Sequence, residues 1–138
     1  MPAVLRHALA VVVGVVIAVT IIMLFEGLNS QFFPPPPGLD HATTAETAAW
    51  LRTLPTGAFL VVLAGYAVGA FAGSAATARF APSRAAHLVG LVGAFLLAAS
   101  LMNLVALPHP IWFWVANVLL IVGGAWLGFR LGIRRAVT

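Results

Sequence analysis

Three long stretches of this chain contain no Asp, Glu, Lys or Arg: residues 7–25 (19 residues), 53–78 (26) and 85–129 (45). A bilayer's hydrocarbon core is about 30 Å thick, and a helix rising about 1.5 Å per residue needs about 20 apolar residues to cross it. Each of the first two stretches therefore holds one span. The third has room for two, and Leu107-Pro108-His109-Pro110 breaks it near its middle, because proline cannot continue a helix. The expected fold class is all-α: a polytopic membrane protein built as an antiparallel four-transmembrane-helix bundle, with spans over about residues 4–28, 56–77, 85–106 and 111–131 in a single domain, 1–138.

Composition leaves little room for another class. With 62% hydrophobic residues, 7% charged and a mean hydropathy of +1.09, a water-soluble domain of 138 residues could not cover its apolar surface. The net charge of +4 would suit nucleic acid, but the seven basic residues are all Arg and stand beside helix ends, so no nucleic-acid partner is expected. The absence of cysteine excludes disulfides and thiolate metal sites. No catalytic motif is present, and neither an enzyme nor a cofactor is expected.

The arginines give the orientation. Arg6 precedes the first span, Arg79 and Arg84 flank the second loop, and Arg130, Arg134 and Arg135 close the fourth span; only Arg52 falls on the other side, with Glu26, Asp40 and Glu46. Basic residues favour the cytoplasmic side, so both termini are expected there and residues 29–55 outside. The first apolar run is longer than a signal-peptide core, and no small-x-small site follows Phe25 before the prolines, so it reads as a retained helix.

In the outer loop, residues 34–37 are four prolines, expected to form a stiff polyproline II rod about 12 Å long. Thr43-Thr44-Ala45-Glu46 matches a capping box and predicts a short interfacial helix over about residues 44–54, anchored by Trp50 and ended by Pro55. Trp112 and Trp114 fit the aromatic belt at the outer start of span four.

Small residues recur every four positions. Gly65, Gly69, Gly73 and Thr77 lie on span two; Gly124, Gly128 and Gly132 on span four; Ala10, Gly14 and Ala18 on span one; Gly90, Ala94 and Ala98 on span three. Lipid is as apolar as leucine, so flat stripes that let backbones approach are the main association device available. The stripes predict helix packing within the chain or against a second copy. The spacing of 65–73 is similar to that of 124–132, which suggests a parallel repeat of two hairpins. Most of these small residues lie in the inner half, so the bundle is expected to splay outward.

Polar groups supply the candidate site. Glu26 is the only acid attached to a span, expected at its last turn; it is either solvated at the interface or buried as a proton or cation site. Asn103 lies near the outer end of span three and Asn117 about 9 Å below the start of span four, where asparagine commonly bonds across helices. His109 lies in the outer turn, while His7, His41 and His87 sit at other edges, away from any depth at which facing histidines could hold a haem. A zinc site of Glu26, His41 and His109 has no supporting ligand spacing. Tyr66, near mid-membrane, needs a partner for its hydroxyl, most simply a backbone carbonyl. If the bundle splays, Glu26, Asn103, His109 and Asn117 converge on an outward-facing cavity suited to a cation or amine.

Phe25-Glu26-Gly27, the Phe33-to-Gly38 proline segment, the Gly65-Gly69-Gly73 stripe and Pro108-His109-Pro110-Ile111-Trp112-Phe113-Trp114 together resemble a group of small bacterial inner-membrane proteins with four helices. The resemblance covers nearly the whole chain and implies a bacterial inner-membrane setting, but no activity. Small multidrug transporters are similar in size and helix count. They carry a Glu midway along their first helix, whereas Glu26 stands near the end. Two readings stay open: a packing or accessory subunit, whose partners are the bilayer and a second copy or a larger membrane complex, or a small-ligand or cation binding and transport protein. A carrier would need a polar path across the inner half, which here is Gly, Ala, Val and Leu, so the first reading is preferred.

The orientation is testable because the chain has no native cysteine. With single cysteines at Asp40 and Val137, an impermeant thiol reagent on intact cells is expected to label only the Asp40 site; the opposite pattern would invert the topology.

Overall fold

Two X-Pro steps decide where the long helices stop. α1 (Ala3–Phe32) ends where Phe33 precedes Pro34, and α3 (Thr56–Phe80) ends where Ala81 precedes Pro82; both pre-proline residues leave the helical region, with φ −130° and −137°. A following proline disfavours the α conformation sterically. Both helices therefore outrun the expected ends at 28 and 77. The computed structural model describes residues 2–39 and 42–134, and adds α2 (Thr44–Leu51), a 3₁₀ turn (Pro82–Arg84), α4 (Ala85–Ala106) and α5 (Ile111–Arg134). Asp40, His41, Arg135 and Val137 lie outside the described residues. Among the described residues there is no strand, and four helices are long and apolar enough to cross a membrane.

The proline run ends in a turn. Leu39 N–H donates to the Pro36 carbonyl at 3.2 Å, and Gly38 has φ +86°. Proline at the second and a positive-φ glycine at the third position are what a type II turn demands, so the chain reverses at Pro37-Gly38. α2 starts from a full capping box: Glu46 N–H donates to Thr43 Oγ1 at 3.4 Å, and Thr43 N–H donates back to Glu46 Oε2 at 2.7 Å. That last bond and the Thr43 hydroxyl, which donates to Glu46 Oε2 at 2.9 Å, hold the Glu46 carboxyl below the usual carboxylate range. The helix stops at Leu51 rather than 54, because Thr53 and Leu54 N–H turn tightly onto the Trp50 and Leu51 carbonyls.

α3 is the shared partner of the bundle. Along one side it meets α1 in opposite directions, with Gly73 against Gly14, Gly69 against Ala18 and Gly65 against Ile22 and Phe25. Along another it meets α5 in parallel, with Gly124 against Ala67 and Ala70, Gly128 against Phe71 and Ala75, and Gly132 against Ala75 and Ala78. The approach is close enough that a Cβ on Gly69 would lie 2.8 Å from the Ala18 carbonyl oxygen, and one on Gly124 2.7 Å from that of Ala67. At such distances the glycine Cα–H groups contact carbonyl oxygens of the neighbouring helix, a weak attraction that recurs along both seams. Thr77 adds a polar clasp, its hydroxyl reaching the Gly73 carbonyl (2.9 Å) and that of Ala10 across the α1 seam (3.2 Å).

The small-residue stripes take different partners. The two triple-glycine stripes do not face each other: Gly65, Gly69 and Gly73 take α1, while Gly124, Gly128 and Gly132 rest on a different side of α3. α3 lies closest to α1 and α5, and α4 packs more lightly against α3 and α5. Gly90 meets no atom within 4 Å of its Cβ position and lies on an exposed face of α4, so it belongs to no seam within the chain.

These contacts predict opposite signs for one kind of substitution. Gly69→Ala or Gly124→Ala is expected to cost about 1–3 kcal/mol through overpacking. Gly90→Ala is expected to be neutral, or stabilising by up to about 1 kcal/mol through helix propensity. Unfolding in mixed micelles over an SDS series checks this, and equal losses at all three positions would refute the seam assignment.

Candidate functional site

Call the end carrying Arg6, Arg79, Arg84, Arg130 and Arg134 the arginine end, and the opposite one, with α2 and the α4–α5 turn, the loop end. The polar side chains singled out in the sequence all fall toward the loop end, but they divide into two groups. Asn117 is 1% exposed on α5, and Ser100 on α4, equally buried, donates its hydroxyl hydrogen to Asn117 Oδ1. Asn117 Nδ2 has no partner among the described groups. Rotating the amide by half a turn would give the nitrogen a partner and leave the oxygen without one, so one buried amide atom is unpaired in either orientation. Tyr66 of α3 is buried in the bundle as well.

Glu26 itself is exposed on α1. Because α1 continues to Phe32, Glu26 lies more than a turn before the helix end and not at its last turn. The Ser30 hydroxyl donates back to the Glu26 main-chain carbonyl at 3.0 Å. Asn103 is likewise exposed on α4.

His109 stands apart from this group. Its ring stacks on Phe113 (4.9 Å between centroids), meets the Phe59 edge at 6.2 Å, and carries Nδ1 2.9 Å from the Leu107 carbonyl oxygen. Phe59, Leu63, Leu104 and Phe113 form an apolar cluster that fills the space between the helices at this end. The expected convergence of four residues on one cavity is therefore not what the packing produces. His109 lines two adjoining hollows at the loop end, of about 380 and about 620 Å³, and none of Glu26, Asn103 and Asn117 lines either. Arg52, Pro108 and His109 are common to both. Among the described residues no three His, Asp or Glu side chains gather, and His41, the remaining member of the weighed zinc set, lies outside them.

Two residues escaped the sequence reading. Ser100 had a signal, since it stands three positions before Asn103 and so shares its helix face, but a lone serine in an apolar helix is easily passed over. Arg52 was visible only as the exception to the charge asymmetry.

The chain matches no protein-family model, no curated protein and no solved structure with which it was compared. The residues and their geometry carry the functional reading.

The Ser100–Asn117 pair yields a signed prediction. Ser100→Ala strips Asn117 of its one side-chain partner and is expected to cost about 0.6–1.7 kcal/mol, from the average to the maximum found for hydrogen bonds between membrane helices. Adding Asn117→Leu to that variant should recover most of the loss, because the buried unpaired amide is then gone. A double variant less stable than Ser100→Ala alone, in the same SDS titration, would refute the pairing.

Proposed function

We propose that this chain is a non-enzymatic, multi-pass membrane protein that acts as a packing or accessory subunit, associating with a second copy of itself through α4. It sits in a bacterial inner membrane with both termini in the cytoplasm, an orientation supported by the arginine asymmetry. Four helices of crossing length carry many exposed large apolar side chains, such as Val12, Met23, Leu119 and Trp126, a surface suited to lipid.

One observation supports the assembly role above the rest. Seven of the eight stripe glycines are used inside the chain, and Gly90 is left open. It shares an exposed face of α4 with Ala86, Ala94 and Ala98, beside an apolar groove of about 380 Å³ between α4 and α5. The device that holds α3 to its neighbours is thus repeated, unused, on an outer surface. The alternative of a cation or transport site draws less support, because Glu26 is exposed and lines neither loop-end hollow.

In native membranes, Gly90→Cys is expected to form a disulfide-linked dimer under mild oxidation, while Leu119→Cys, on an exposed face of α5, is not. Donor- and acceptor-labelled copies diluted in vesicles should show energy transfer that Gly90→Leu abolishes without loss of fold. Absence of both signals would exclude self-association through α4.

A further inference from the structure

The α4 interface leaves the loop-end hollows unused, and these hold a site of their own. Arg52 is the only basic side chain at that end among the described residues, it is exposed, and it borders both hollows. Neither described carboxylate pairs with it: Glu46 is engaged by Thr43 in the first turn of α2, and Glu26 stands on α1. A guanidinium that no described carboxylate engages, beside a concave wall, is a ready receptor for a carboxylate or phosphate, which it binds through two parallel N–H donors.

The rest of the wall says what the anion must be attached to. Phe59, Trp112, Leu51 and Leu54 line the smaller hollow with Arg52 and His109. Phe59 meets Trp112 edge-on at 6.1 Å. A free inorganic anion would gain nothing from this apolar shelf, whereas an amphiphile would lay its chain along it and set its head on Arg52. His109 is held ready beside them. A carbonyl oxygen only accepts, so the proton of the Leu107 contact sits on Nδ1, and Nε2 remains the ring's free polar atom. Stacking on Phe113 and edge contact with Phe59 fix the ring before any ligand arrives. At about 380 and about 620 Å³, the hollows fall within the range of small-molecule sites and suit a headgroup with its first methylenes.

We propose that the Arg52–His109 hollow binds the phosphate headgroup of an anionic bilayer lipid. The inference rests on the membrane placement proposed above but not on self-association. A variant keeping Trp112 as its only tryptophan (Trp50, Trp114 and Trp126 to Phe) is reconstituted in vesicles of brominated anionic or brominated zwitterionic phospholipid, and Trp112 quenching is read. About tenfold stronger apparent binding of the anionic lipid is expected, because the cationic group of a zwitterionic headgroup offsets the charge its phosphate presents to Arg52. Arg52→Gln should bring the ratio near one, Arg52→Lys should keep part of it, and Arg6→Gln at the other end should leave it unchanged. No preference, or one surviving Arg52→Gln, would overturn the site. Displacement by millimolar inorganic phosphate would overturn the lipid as its source in favour of a free anion. Failure of the protein to float with vesicles would overturn the membrane placement itself, and the lipid site with it.

Discussion

Everything in this fold depends on how closely two helices can come to α3. In water, burying apolar faces would hold four such helices together; in the bilayer proposed for them that drive vanishes and contact itself must do the work. Dispersion falls away within about an ångström of the optimal distance, so the small residues on both sides of α3 decide whether there is a bundle at all. The polar bonds are sparse by comparison. Thr77 clasps α1 and Ser100 clasps Asn117, and each adds to seams that the backbones already define.

This division of labour accounts for the two ends of the molecule. Where Gly, Ala, Ser and Thr dominate, backbones meet directly and little room is left for chemistry. Toward the loop end Phe59, Leu63, Leu104 and Phe113 take over the interior, and irregular aromatic packing leaves hollows at its edge under α2. The unused small-residue face of α4 and the arginine-bearing hollow are thus separate surfaces of the molecule.

The four helices were legible from charge alone, because a membrane helix must be long and uncharged and its ends are marked by proline and arginine. The faces were not. These helices are apolar nearly all round, so no amphipathic stripe tells which side looks inward. Spacing of four marks a flat surface but not its occupant: Gly65 and Gly124 lie in similar stripes yet meet different helices, and Gly90 in a third stripe meets none. The site suffered from the same gap. Asn117 could be placed at the right depth, but its pairing with Ser100 depends on helix rotation. His109 could be placed at the right end, but Pro108 and Pro110 fold it back among aromatic rings, away from the asparagines.

The central position of α3 also bears on how the molecule comes to exist. A chain made from its N-terminus presents α1 first, and α1 has nothing to pack on until α3 arrives. Once it does, the α1–α3 seam with its threonine clasp can close before α4 and α5 have been synthesised. α5 then docks on a finished platform, parallel to α3, and α4 serves mainly as the tether that carries the chain back for it. Biogenesis would thus proceed by accretion onto a two-helix nucleus, with the last helix completing the bundle rather than organising it.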